Sequence, residues 1–323
     1  MEMYPRTPEE FDALFSTDEG CRDYLLRLRW PDGFRCPRCG GTKPWPVGSV
    51  LFQCGRCDYQ VSVTAGTIFQ DSHKPLTLWF RALWWVTSQK TGASALGLQR
   101  VLGLGSYQTA WAWLHKLRRA MVRPGRDRLT GRIEVDEVFW GAPEEGRHGR
   151  RIGNKALILI AAQQDGRGIG RIRMRQVKDA RAASIHPFIL DSIQPGSVVH
   201  TDTWQGYAGL EAKGYGREIT EMGRSLKLGE DALPRVHRVA SLLKRWLMGT
   251  HQGAVSHEHL DYYLDEFTFR FNRRTSRHRG KLFYRLVQQA AHVPPAPYKE
   301  LVRHVRANKK EKHKMLGLPE SSG

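Results

Sequence analysis

Apolar and polar positions along the chain change period several times, and each change marks an element. Thr7-Pro8-Glu9-Glu10 has the features of a helix start: a capping side chain, proline at the first helical position and acids in the first turn. Phe11, Leu14 and Phe15, then Tyr24, Leu25 and Leu28, give apolar faces to two short helices with a break expected near Gly20. Trp45, Val47, Val50 and Phe52, followed by Tyr59, Val61 and Val63, predict small strands. Large apolar side chains crowd residues 76–86, predicting the core helix of a helical segment. Helices over 96–102 and 107–121 follow, joined by Gly103-Leu104-Gly105-Ser106, the proportions of a helix-turn-helix. A plain helical hairpin has the same outline. Arg123-Pro124-Gly125 then breaks the helix and begins a linker.

Beyond residue 131 the periods alternate. Strands are predicted over 132–141, 154–163 and 169–177, separated first by a polar loop carrying Arg147, Arg150 and Arg151. Asp179 is placed to cap a helix over 180–192; a strand at 197–202, a helix at 204–213 and a fifth strand at 217–221 follow. From His237 a helix sets Val239, Leu242, Leu243, Trp246 and Leu247 in one apolar stripe, with His237 and Lys244 almost one above the other on the opposite side. From Ser256 another helix carries a core stripe of Leu260, Tyr263, Leu264, Phe267 and Phe271; Asp265 and Glu266 within it are not assigned as ligands. Arg270, Arg273 and Arg274 begin a basic end suited to phosphate contacts, and residues 303–314 form a basic tail.

Charge narrows the choice of partner. The 323 residues carry 51 Lys and Arg against 32 acids, a net charge of +19, and such an excess calls for a polyanion, DNA or RNA. No apolar run approaches the roughly 18 residues that span a bilayer; the clearest is 156–162. The amino terminus lacks signal-peptide blocks, so a cytoplasmic location with no membrane partner is expected.

Four of the five cysteines fall in two knuckles, Cys36-Pro-Arg-Cys39 and Cys54-Gly-Arg-Cys57, 14 residues apart. Such paired spacing brings four thiolates into the tetrahedron of structural Zn²⁺, with an iron centre the minor alternative. A disulfide framework is not expected. Arg35, Arg38, Lys43 and Arg56 around the knuckles are suited to DNA contact, although cations on so small a module also serve simply as a solvated surface.

A carboxylate inside a hydrophobic strand is costly unless a cation or hydrogen bonds compensate it, which makes Asp136 the first catalytic candidate and a metal its explanation. Asp202 sits where a later strand stops, and His237 follows it with 34 residues between them. This order resembles the DDE-type transposases. Thr64-Ala-Gly-Thr-Ile-Phe69, Pro75-Leu-Thr-Leu-Trp-Phe80, Leu243-Lys-Arg245, Gly249-Thr-His251 and Tyr263-Leu-Asp-Glu-Phe-Thr-Phe-Arg-Phe-Asn272 are similar to the zinc-ribbon insertion-sequence transposases of bacteria. His237 departs from the glutamate or asparagine that many relatives carry as third acid, and Glu230 or Asp231 is the alternative.

The resemblance implies a multidomain α/β (α+β) chain: amino-terminal helices at 1–33, a zinc ribbon at 34–75, a helical DNA-binding segment and linker at 76–130, a ribonuclease H-like mixed-sheet catalytic domain at 131–280, and a basic carboxy-terminal helix and tail at 281–323. It implies Asp136, Asp202 and His237 as ligands of catalytic Mg²⁺ or Mn²⁺, and Lys244 with Arg245 on DNA. In the helix-turn-helix, Tyr107 and Gln108 would read bases while Lys116, Arg118 and Arg119 hold phosphates. The implied activity is cleavage of element ends and joining of the 3′-hydroxyl to target DNA, with double-stranded terminal repeats and target as partners and a dimer or larger assembly on DNA near the nucleoid. The competing readings are a non-enzymatic DNA-binding regulator, a copy inactivated at His237, and a nuclease that cuts without joining.

Overall fold

The computed structural model describes residues 3–123, 125–141, 155–220 and 231–302. The chain forms two compact units, one of residues 1–123 with 276–323 and one of residues 124–275. The basic loop with Arg147, Arg150 and Arg151, as well as Pro124, Glu230 and the tail at 303–314, lie outside the described residues.

In the first unit, α1 (Pro8–Phe15) begins as expected, with the Glu10 amide donating to Thr7 Oγ1 at 3.2 Å. The break before α2 (Asp18–Arg29) falls at Ser16 and Thr17 rather than near Gly20, because Thr17 caps the second helix through the Gly20 amide at 3.1 Å. Gly20 sits against the Leu14 carbonyl, where a Cβ would come within 2.9 Å, so glycine serves close helix approach and not the break. Strands β1 (Pro44–Val47), β2 (Leu51–Cys54) and β3 (Gln60–Ser62) form an antiparallel sheet. Helix α3 (Leu76–Ser88) is the spine: Phe80 and Trp84 pack with Phe11, Phe15, Tyr24 and Phe283 in an aromatic core, and Trp79 stacks on Trp113 at 3.7 Å. Helices α4 (Ala95–Leu102) and α5 (Tyr107–Ala120) are joined through Gly103, whose φ of 61° is a left-handed helix end that glycine takes without strain. Two later helices, α9 (Arg279–Ala290) and α10 (Tyr298–Val302), belong to this unit, and α9 packs against α3.

The second unit is built on a five-stranded mixed sheet. β4 (Arg132–Trp140), β5 (Ala156–Asp165) and β6 (Gly168–Val177) form an antiparallel meander, after which β7 (Val198–Thr201) and β8 (Gly216–Ile219) run parallel to β4, in the order β6-β5-β4-β7-β8. Helix α6 (Ala182–Ser192) covers one face, setting Ile185, Phe188 and Ile189 against Ile133, Val135, Leu157 and Leu159. Helices α7 (Pro234–His251) and α8 (Leu260–Phe271) cover the other, with Val239, Leu243, Leu264 and Phe267 on Ile158, Ile160 and Ile172. β5 is therefore buried on both faces, as its unbroken apolar run requires.

The helix expected at 204–213 is absent. Two short 3-10 turns, Gln205–Tyr207 and Glu211–Lys213, stand there, separated by Gly209 at φ 81°, a conformation that ends any right-handed helix. The motif ending in Asn272 has a structural use. Asn272 accepts from the Ile172 amide at 2.7 Å and donates to the Ile172 carbonyl at 3.1 Å, while Asp261 accepts from the Gln176 amide, so α8 seals the open edge of β6. Among the described residues no helix is long and apolar enough to cross a membrane.

Candidate active site

Asp136 reaches its place through strand alternation. Ile133 and Val135 face α6, so Glu134 and Asp136 face α7, and Asp136 pairs in register with Ile160 of that face. The parallel ladder sets Glu134 of β4 against His200 of β7. Two positions beyond the end of that ladder stand Asp136, still within β4, and Asp202, which has just left β7, and both carboxylates act on the Tyr207 hydroxyl.

Glu134 is the anchor for the third element. It is 1% exposed, its Oε2 accepts from the Arg235 and Val236 amides at 2.7 and 3.0 Å, and its Oε1 accepts from Arg235 Nη1 at 2.8 Å. One carboxylate thus satisfies free N–H groups of the first turn of α7 and pairs with a cation. This fixes the start of α7 on the strand that carries Asp136, and His237, one turn in, meets Asp136: Nε2 lies 3.1 Å from Asp136 Oδ2. The other ring nitrogen, Nδ1, lies 2.5 Å from Asp231 Oδ1. The hydrogen bond to Asp136, with Asp231 adding, pushes the imidazole up to about 9 against the opposing effect of burial. Asp231, the alternative third acid, is thus a hydrogen-bond partner of His237. A cleft of about 300 Å³ opens here, lined among others by Asp136, Glu137, Ile160, His237, Ser241 and Lys244. Lys244 is exposed at its rim.

On the other face of β4, Glu137 accepts a 2.7 Å hydrogen bond from the hydroxyl of buried Tyr207. Burial first, and then Glu137, Asp136 and Asp202, hold the Tyr207 hydroxyl well above its ordinary range. The Trp204 amide donates to Asp202 Oδ1 at 2.9 Å.

The four cysteines converge in the first unit. Their sulfurs lie within 4.8 Å of one another, with Cys36 and Cys57 3.7 Å apart and Cys39 and Cys54 3.6 Å apart. Tetrahedral Zn²⁺ with bonds near 2.3 Å sets sulfurs about 3.8 Å apart, so the arrangement fits. Amides of Gly41 and Arg56 point at Cys39 and Cys54 at 3.4 Å, N–H contacts of the kind that favour the thiolate that binds metal. Among the described residues this is the one set of three or more such groups so closely gathered.

Residues 128–272 match the ISXO2-like transposase domain, and residues 16–60 match the transposase zinc-ribbon domain. The chain belongs to the zinc-ribbon insertion-sequence transposases. A relative from Halobacterium salinarum, an uncharacterized protein in transposable element ISH50, is 27% identical to the transposase over 277 residues, 79% of this chain and 91% of the relative. A chain in the cryo-EM structure of the simian T-cell lymphotropic virus intasome with PP2A regulatory subunit B56 gamma is 14% identical, covering 68% of this chain and 74% of that one at a TM-score of 0.30, a likeness too slight to carry an argument.

The transposase does not present all the expected phosphate contacts. Tyr107 and Gln108 are exposed at the start of α5, and Arg245 is exposed beside Lys244. Arg118 is 1% exposed and belongs to the packing of α5, which corrects its assignment as a phosphate contact. Arg270 is corrected likewise: its Nε donates at 2.8 Å to Glu266, which is wholly buried. Lys116 is half-buried over the Trp79 ring, and burial lowers its pKa. Arg119 is half-buried; Arg273 lies over Phe269, and exposed Arg274 donates to the Ile169 and Gly170 carbonyls. Glu134, Glu137 and Tyr207 were not singled out from sequence; for Glu134 the available signal was a second carboxylate on the Asp136 face of the same strand.

Proposed function

We propose that this transposase cleaves the ends of its insertion sequence and joins the 3′-hydroxyl to target DNA by divalent-metal-dependent phosphoryl transfer. The observation that carries this is the His237 imidazole on Asp136, with Asp202 just past the end of the neighbouring parallel strand. Two neighbouring carboxylates repel unless a cation neutralises them, and an oxygen-rich pair suits Mg²⁺ or Mn²⁺. The strand order supports a ribonuclease H-like reading of the catalytic unit.

Asp136, Asp202 and His237 would hold the ions, which supply activation of the attacking oxygen and charge stabilisation at the leaving one. Asp231 on Nδ1 would orient the ring, and Nε2, which here meets Asp136, would turn to the ion once its proton is lost, the carboxylate–histidine pairing common behind ligating imidazoles. Lys244, exposed at the cleft, would hold the DNA end being cut, and Tyr107 and Gln108 at the head of α5 would meet bases. Double-stranded DNA is the partner, and pairing two element ends calls for a dimer or larger assembly. Purified protein mixed with DNA from both flanks of the gene, in Mg²⁺ or Mn²⁺, should nick specifically at the element ends; specific binding without nicking in either metal would instead make it a DNA-binding regulator.

Two further outcomes are expected. His237→Glu keeps or raises Mg²⁺-dependent cleavage, since carboxylate suits Mg²⁺ better than imidazole, whereas His237→Ala lowers it about 10- to 100-fold; equal cleavage by all three proteins would move the third ligand elsewhere. Metal analysis should find about one zinc, not iron, per chain, and Cys36→Ser should lose it together with the ribbon fold, because a structural site's binding energy is its folding energy. A Cys36→Ser protein that keeps its zinc would remove Cys36 from the ligand set.

A further inference from the structure

The backbone ladder between β4 and β7 ends at Glu134 and His200, yet the aspartates that must act together lie two positions beyond it. Asp202 is followed by a firmly anchored turn. The Trp204 indole donates to the Ala180 carbonyl at 2.7 Å, and Gly206 sits so close that a Cβ there would come within 2.3 Å of the same oxygen. The turn ends at Tyr207, fully buried, whose hydroxyl donates to Glu137 Oε2 at 2.7 Å. Glu137 is the chain neighbour of Asp136. A hydrogen bond from a buried hydroxyl to a half-buried carboxylate therefore ties the segment that carries the second aspartate to the residue beside the first, past the point where the ladder stops.

We propose that Tyr207 is a positioning residue for the divalent-metal site: through Glu137 it fixes the separation of Asp136 and Asp202, and thereby the affinity for the ion. The inference rests on the metal-site reading given above. Before a cation arrives the two carboxylates repel, and a side chain at the end of a strand is free to yield to that repulsion. A turn pinned at Ala180 and at Glu137 holds Asp202 in place, so less ordering is left for the ion to impose; this is the contribution that supporting hydrogen bonds make to metal sites in general. Neither Tyr207 nor Glu137 needs to touch the ion. A role in packing alone would lower stability and leave metal affinity unchanged, so the two are separable.

The test is a Mn²⁺ titration of the full zinc-loaded chain, followed by the electron paramagnetic resonance signal of the free ion, with thermal melts confirming the fold of each variant. Asp136→Asn identifies which bound Mn²⁺ belongs to the site. Tyr207→Phe, which keeps the ring, and Glu137→Val are each expected to weaken Mn²⁺ binding about 10- to 100-fold. Their double variant should be no weaker than either alone, since the same bond is lost once. Glu137→Gln keeps an oxygen that accepts from Tyr207 and should stay within about threefold of wild type. Folded Tyr207→Phe binding Mn²⁺ as tightly as wild type, or single effects that multiply in the double variant, overturns the positioning role while leaving the metal site intact. Mn²⁺ binding indifferent to Asp136→Asn overturns the metal-site reading, and this proposal with it.

Discussion

Asp136→Asn and Asp202→Asn are each expected to reduce end cleavage and joining about 10³-fold or more while leaving specific DNA binding in place. A divalent ion contributes several kcal/mol of transition-state charge stabilisation, and each ~1.4 kcal/mol is a factor of ten in rate. Asparagine keeps the size and one oxygen of the side chain but not the charge that holds the ion, so fold and metal occupancy are separated by a single atom type. The two variants should be equally inert and their combination no worse, because residues that act as a unit are not additive. A gel-shift assay beside a cleavage assay distinguishes the outcomes: binding and cutting lost together would mean a folding defect, and cutting retained by either variant would remove that aspartate from the chemistry.

Glu134→Ala is the second large effect, and it acts on stability. The carboxylate is 1% exposed, and its removal leaves Arg235, whose side chain is 17% exposed, without its partner, as well as two amides of α7 without their acceptor. Breaking a buried pair from one side costs about 3–5 kcal/mol, which for a unit of this size lowers the melting temperature by roughly 10 °C. Glu134→Gln retains an acceptor oxygen and should fall between the two. Cleavage should drop with Glu134→Ala even well below its melting point, since His237 and Lys244 both ride on α7. Calorimetry of the two variants checks this; a loss under about 1 kcal/mol for Glu134→Ala would place the docking of α7 in its apolar face instead.

The two cysteine knuckles, the Asp136 strand, the α4–α5 pair and the stripe on α7 were legible in the sequence because each is written in local spacing. The pairs that assemble the site are not local: Glu134 with Arg235 and Asp136 with His237 each span 101 positions, and Tyr207 with Glu137 spans 70. No periodicity reports a partner at that distance. The helix expected at 204–213 does not form because Gly206 and Gly209 are used otherwise, one for close approach to Ala180 and the other for a left-handed turn. Arg118 and Arg270 were read by charge alone. Each belongs to a helix buried on most sides, α5 through Ala112, Trp113, Leu114 and Leu117 and α8 through Phe267, Phe269 and Phe271, so that Arg118 is itself buried and the Arg270 guanidinium, mostly covered, is held by buried Glu266.

The most direct measurement is the sequence of junctions formed when wild-type protein, DNA carrying both gene flanks, Mg²⁺ or Mn²⁺ and an acceptor plasmid are incubated together. The predicted result is element 3′ ends joined covalently to scattered acceptor positions by wild type and not by Asp136→Asn. Ends that are cut but never joined, or junctions made equally by Asp136→Asn, would contradict transposition chemistry at the Asp136–Asp202 site.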